Sequence, residues 1–213
     1  MLSASYDSLS RCRRCSRLAD HLLVVRETHP DYHCLPVGAW GSPHARLLVV
    51  GLAPGMHGAN RTGQPFTGDA SGSFLFAALS RHGLASNPDP AQARLRGVRI
   101  TNAVKCLPPG NRPTTSELKE CSRFLRHEIE QLWSGQARKP RCILSLGRLA
   151  HQSVGYALRE RLPDFRHGSV VQLKHNLWLA DTYHPSRQNT NTGRLTAEMF
   201  DSVIGCVKGL VEG

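Results

Sequence analysis

Four short runs of this chain are dominated by apolar residues, many of them leucine or β-branched: Arg46–Val50, Val98–Val104, Cys142–Leu146 and Leu177–Thr182. Buried parallel strands read this way, because both faces are covered and the polar alternation of a half-exposed strand disappears. Between the runs, apolar residues recur at helical spacing over Ser73–Gly83, Ser116–Trp133, Arg148–Arg159 and Thr196–Val211. The second of these opens with a capping-box pattern, Thr114 to Glu117, just after the helix breaker Pro113. The first 45 residues are irregular apart from a short helix around Ser16–Arg26, with turn residues at His29-Pro30-Asp31 and Gly38–Pro43. The alternation predicts a three-layer α/β/α sandwich around a central four-stranded parallel sheet. No repeat, linker or boundary divides the chain, so a single domain over residues 1–213 is expected.

Ligands of such sheets bind outside the carboxyl ends of the strands. The segments that follow those ends are Gly51–Gly72, Lys105–Pro113, Gly147–Arg148 and Tyr183–Arg194, and they are expected to meet. The first, GLAPGMHGANRTGQPFTGDASG, is a long loop with six glycines, and it carries His57, Asn60, Phe66 and Asp69. A loop of this length inside a compact domain usually serves a function. It has neither the spacing of a P-loop nor that of a dinucleotide-binding fingerprint. Asp69 sits just before a helix, so a capping role and a catalytic role are both open. Phe66 is either a core aromatic or a stacking platform, and its place between Pro65 and Thr67-Gly68 favours the platform. The last segment starts His184-Pro185 and continues with hydroxyl, amide and basic residues suited to phosphate contacts and groove insertion.

A formal charge of +11, spread along the 213 residues, points to a polyanionic partner such as nucleic acid; ordinary solubility charge is the plainer explanation. With 40% hydrophobic residues the chain is globular rather than disordered. No run approaches the roughly 20 apolar residues of a membrane span. The opening MLSASYDSLSRCRRC lacks a secretory leader's apolar core, so a cytoplasmic protein is expected. Seven cysteines then argue for metal or core roles over disulfides. Cys12 and Cys15 form C-x2-C, and Cys106 and Cys121 form C-x14-C; spacing alone leaves an iron–sulfur cluster, zinc and unrelated thiols open. Cys142 and Cys206 read as core thiols, and Cys34 has no assignment.

Three segments together carry a resemblance: GLAPGMHGANRTGQPFTGDASGSFL, RITNAVKCLPPGNRPTTSELKEC and TYHPSRQNTNTGRLT. With the N-terminal C-x2-C, they resemble in order the iron–sulfur uracil-DNA glycosylases, most closely the family-five branch, over nearly the whole chain. The resemblance implies a [4Fe–4S] cluster on Cys12, Cys15, Cys106 and Cys121. It also implies DNA containing uracil or other damaged bases as partner, and hydrolysis of the N-glycosidic bond to leave an abasic site. The implied protein is a monomer of the bacterial or archaeal cytoplasm, associated with the nucleoid. The related family-four pattern begins GEAPG; here Leu52 replaces the acid, which leaves Asp69 as the motif's one carboxylate and shifts its expected role toward catalysis. On this reading Asp69 stabilises the sugar cation or orients water, and His184 stabilises the leaving base. Phe66 stacks on the flipped base, Asn102 or Asn111 reads its edge, and Gly51, His57 and Asn60 complete the pocket. Ser186, Arg187, Gln188 and Asn189 press into the duplex, while Arg187 and Arg194 neutralise phosphates. Competing readings are a non-catalytic nucleic-acid-binding module held by a cluster or zinc, and a small-molecule nucleotide hydrolase.

Overall fold

A computed structural model describes residues 9–133 and 139–213 of the chain. Residues 1–8, where the stretch read as leaderless begins, and residues 134–138 lie outside the described residues. Four strands form the parallel centre of the sheet: β2 (Leu47–Gly51), β3 (Val98–Asn102), β4 (Arg141–Leu146) and β6 (Leu177–Thr182). They fall on the four apolar runs. The expected four-stranded sheet needs correction to a six-stranded mixed one, in the order β1-β3-β2-β4-β6-β5. The edge strands β1 (Trp40–Gly41) and β5 (Val170–Gln172) pair antiparallel with β3 and β6. They are two and three residues long and only half-buried, so neither leaves an apolar run in the sequence.

Successive strand residues point to opposite faces, and both faces are covered. Leu47, Val49, Ile100, Cys142 and Leu144 pack against α3 (Ala70–Arg81) and α7 (Ala197–Glu212), with Phe76 and Phe200 fully buried between them. Leu48, Val50 and Ile143 face α4 (Thr115–Trp133) and α5 (Arg148–Leu158) through Leu125, Ile129, Ala150 and Val154. The α4 capping box forms as expected: Thr114 N–H donates to Glu117 Oε2 at 2.7 Å, and Glu117 N–H donates to Thr114 Oγ1 at 3.3 Å. Helix α1 (Ser16–Thr28) buries Leu18, Leu22 and Val25 against Val104, Leu107 and Leu118. Cys206 departs from its expected core place: it is exposed, because α7 turns Val203, Ile204, Val207 and Val211 inward instead. Cys142 is buried in the sheet as expected, and Cys34 is buried beside α1.

Register sets the stage for chemistry. Gly51 pairs with Asn102 across β2 and β3, so the two strands end side by side. Leu146 pairs with Thr182 across β4 and β6, which brings Gly147 next to the chain entering His184. Two long loops also fold locally: α2 (Ala59–Thr62) interrupts the glycine-rich loop, and α6 (Arg187–Asn191) forms within the stretch read as one loop after Tyr183.

Candidate active site

The glycine-rich loop, Asn102, Asn111 and the His184 loop enclose one open cleft of about 680 Å³ at the carboxyl ends of the strands. Leu52, His57, Phe66, Asp69, Asn102, Asn111, His184, Ser186, Arg187 and Gln188 all line it. Three of the four segments expected to meet therefore contribute lining side chains. The fourth lies directly behind: Gly147 has φ +95, and a Cβ there would stand 3.4 Å from His184 Cβ.

Asp69 caps a helix, as one of the two expected roles has it, and also lines the cleft. Its Oδ1 accepts the Gly72 N–H at 2.9 Å as the N-cap of α3. Its Oδ2 points at the backbone of the loop: a Cβ on Gly58 would lie 2.2 Å from it, and one on Gly55 3.2 Å. Only glycine at position 58 lets the backbone pass so close to the carboxylate. Gly51 serves the same purpose one layer down. A Cβ there would sit 2.5 Å from both Asn102 Oδ1 and Phe66 Cε2. Gly51 thus packs behind the site and does not line it. Phe66 is 6% exposed within the core, with φ +56, and its ring lies on the wall of the cleft.

Asn102 is 2% exposed at the end of β3 and lines the cleft. Its amide offers both a donor and an acceptor to a ligand in the cleft. Asn111 stands exposed at the rim on a turn, with φ +57. His57 lies at the mouth, its Nδ1 2.9 Å from the Tyr32 hydroxyl. Asn60 does not reach the cleft. It is fully buried, with its Nδ2 3.6 Å from Cys34 Sγ, so the structure ties it to the neighbouring segment.

His184 meets Phe66 with ring centroids 6.0 Å apart. Burial pushes its imidazole down to about 4, partly offset by the Asp69 charge, so the ring is neutral at physiological pH. A neutral imidazole still offers one N–H donor. Asn189, expected against the duplex, instead donates its Nδ2 to the His184 carbonyl at 2.8 Å. Ser186 caps α6, accepting the Asn189 N–H. Arg187 and Gln188 are exposed at the cleft edge, while the Arg194 guanidinium lies 4.6 Å from the centroid of the Tyr183 ring. The sequence placed Gly58 in the site loop and Gly147 at a strand end without an individual role for either; the structure sets Gly58 against the Asp69 carboxylate and Gly147 behind His184.

A second, apolar cavity is lined by Cys12, Cys15, Cys106 and Cys121 together with Leu18 and Phe124. The four thiols come from the start of α1, the chain after β3, and α4. Burial pushes Cys106 up to about 12, and the nearby Cys121, Cys12 and Cys15 add to the rise. Burial likewise pushes Cys121 up to about 12, against the pull of Lys105. Lys105 donates its backbone N–H to Cys121 Sγ at 3.3 Å. Among the described residues no three His, Cys, Asp or Glu side chains converge on a single metal ion. The four cysteines line one small cavity of about 20 Å³.

An α/β/α sandwich whose strand ends gather a carboxylate, a neutral imidazole, an amide and an aromatic wall in one cleft has the makings of an enzyme active site. The family model of the uracil DNA glycosylase superfamily matches residues 39–205, and the chain belongs to that superfamily. Within it, the chain is 43% identical to the type-5 uracil-DNA glycosylase of Thermus thermophilus over 94% of each chain. It is 44% identical to the type-5 enzyme of Mycobacterium leprae, covering 95% of this chain and 92% of the relative. The type-5 enzyme of Pyrobaculum aerophilum is 43% identical, with 92% and 87% covered.

Proposed function

We propose that this chain excises uracil from DNA as a monofunctional glycosylase, acting as a monomer and as one domain over residues 1–213 in the cytoplasm, at the nucleoid. The observation that carries the chemistry is the single cleft holding Asp69 Oδ2, His184, Phe66 and Asn102. The type-5 relatives supply the substrate. A nucleic-acid-binding module without catalysis would leave that carboxylate and imidazole without a task.

The target nucleotide leaves the stack and enters the cleft. Phe66 takes the flipped base on its ring face. The Asn102 amide pairs with the base's N–H and carbonyl, while Asn111 at the rim approaches from outside. As the N1–C1′ bond breaks, its electron pair departs with the base and positive charge develops on the sugar. Asp69 Oδ2 stabilises that charge and orients the water whose oxygen bonds to C1′; the proton this water loses passes to the carboxylate and from there neutralises the departed base anion through solvent. The departing base carries negative charge on its oxygen, and the neutral His184 N–H donates to it. Arg187, Gln188 and Ser186 border the gap, and Arg187 and Arg194 meet phosphates. The cleft walls at Ala53, Gly55, Gly58, Ala59 and Ala70 are small, which supports a lesion range wider than uracil, including deaminated purines.

The four cysteines line one apolar cavity and raise one another's pKa, and four thiolates are the donor set that a [4Fe–4S] cluster takes. When bound, the cluster would cross-link α1, the Cys106 segment and α4. A broad visible absorption band with iron and sulfide in the purified protein is the expected sign; stoichiometric zinc without colour refutes it. For the activity, uracil-containing DNA is incubated with the protein and treated with alkali. Strand breaks at the uracil are expected; intact DNA overturns the reading.

A further inference from the structure

His184 is held from both sides in sequence. Behind it, Asn189 fixes its carbonyl. In front of it stands Tyr183, whose backbone N–H donates to His167 Nδ1 at 3.3 Å. The Thr182 hydroxyl lies 3.2 Å from the same nitrogen. The His167 ring also stacks on the Tyr183 ring, with centroids 4.8 Å apart and planes 8° from parallel. Phe165 adds a further contact, its ring centroid 6.1 Å from that of Tyr183. His167 comes from the segment between α5 and β5, which lines no part of the cleft.

An imidazole nitrogen accepts a backbone N–H only through its free lone pair, so the Tyr183 bond requires Nδ1 to be unprotonated. Burial lowers the His167 pKa, in keeping with a neutral ring. The neutral ring then carries its proton on Nε2. Two contacts of different kinds therefore converge on the residue that directly precedes His184: a hydrogen bond to its backbone and a stacked ring on its side chain. The Cα of Tyr183 is one peptide unit from that of His184, so a change in its backbone angle moves the imidazole directly.

We infer that His167 is a positioning residue for His184, acting through the hydrogen bond it accepts from the Tyr183 backbone and not through substrate contact. This rests on the proposed glycosylase reaction. Its consequence is specific, because catalysis by an oriented donor falls steeply with small displacements. Loss of the acceptor should slow the chemical step while leaving DNA affinity in place.

Two variants separate the acceptor from the ring. His167→Phe keeps a planar ring for Tyr183 and removes the acceptor; His167→Asn keeps an acceptor near the Nδ1 position and removes most of the stack. Single-turnover excision of uracil from duplex DNA is measured for both, with DNA affinity and melting temperature alongside. His167→Phe is expected to lose about tenfold in rate with affinity within twofold, and His167→Asn to stay within threefold of the unaltered chain. On a His184→Ala background, the His167→Phe loss should vanish, since there is no imidazole left to place. A His167→Phe rate equal to the unaltered chain, equal losses in both variants, or full additivity with His184→Ala overturns the inference. NMR of the unaltered protein gives an answer independent of variant folding: His167 in the Nε2–H tautomer is expected, and Nδ1–H refutes the bond. Absence of uracil excision by the unaltered chain refutes the reaction itself, whereas excision with an indifferent His167→Phe refutes only the positioning role.

Discussion

Asp69 presents its two carboxylate oxygens to two different surroundings. Oδ1 caps α3, and Oδ2 faces the cleft. Asp69→Asn keeps an oxygen for the Gly72 N–H, so melting should stay within a degree or two while excision falls by roughly a hundredfold or more. Asp69→Ala should lose the same activity and also about 1 kcal/mol of stability, the usual worth of an N-cap. Equal melting of the two variants would show the cap to be idle. Gly58→Ala tests the same carboxylate without touching it. Its Cβ would come 2.2 Å from Oδ2, so a rate loss approaching that of Asp69→Asn is expected, measured as single-turnover excision. His184 adds a pH signature. Its folded pKa of about 4 lies below the ordinary value of 6.5, so between those values the unfolded chain takes up a proton that the folded one refuses. Stability from this residue is therefore intact above pH 6.5 and lost progressively as pH falls toward 4. Thermal melts should show the unaltered chain losing ground to His184→Gln across that window; parallel curves would contradict the buried neutral imidazole.

At the scale of elements, the ion pair between α1 and α4 joins the two halves of the cysteine cavity. Arg17, two residues after Cys15, donates Nε and Nη2 to Glu117 Oε1 and Oε2 at 2.8 and 2.7 Å. Glu117 lies four residues before Cys121 and closes the capping box. Burial opposes its ionisation, yet the bonds from Arg17 and Thr114 outweigh that and hold its pKa below the ordinary 4.5. The pair's contribution is thus present above pH 4.5 and lost as pH falls through the lower folded value. Glu117→Gln should melt a few degrees lower at neutral pH, and the gap should close in acid; a gap that persists at pH 3 would point to packing instead. The capping box was legible because Thr114 and Glu117 are local in sequence. The central strands were legible because burial on both faces makes them continuous apolar runs. The edge strands β1 and β5 were not, since partner strands far along the chain create them and their own residues are half-exposed. Cys206 misled for a related reason: an apolar residue type does not reveal which side of α7 it occupies.

Across the whole molecule, what the sequence could not supply was orientation. Strand-end convergence placed the right loops together, and the Gly51–Asn102 register explains why. Which atoms face the cleft follows only from packing: Asn60 and Asn102 are both buried asparagines on site loops or strands, but Asn60 turns to Cys34 and Asn102 to the cleft. The same distinction governs the charge. A net +11 draws the chain to DNA from any direction, but only cations at the cleft edge hold the lesion strand in register. Arg187 is exposed on that edge. Asn189, two residues further along α6, is committed to the His184 carbonyl. Arg187→Ala should therefore weaken binding to uracil-containing and undamaged DNA alike, and should reduce the slope of log affinity against log salt by about 1. Asn189→Ala should leave that slope unchanged and slow excision instead, because it releases the carbonyl of His184. Affinity titrations at several salt concentrations, with single-turnover rates beside them, distinguish the two; a shared effect on slope would mean that Asn189 also meets phosphate and that the loop binds DNA as one unit.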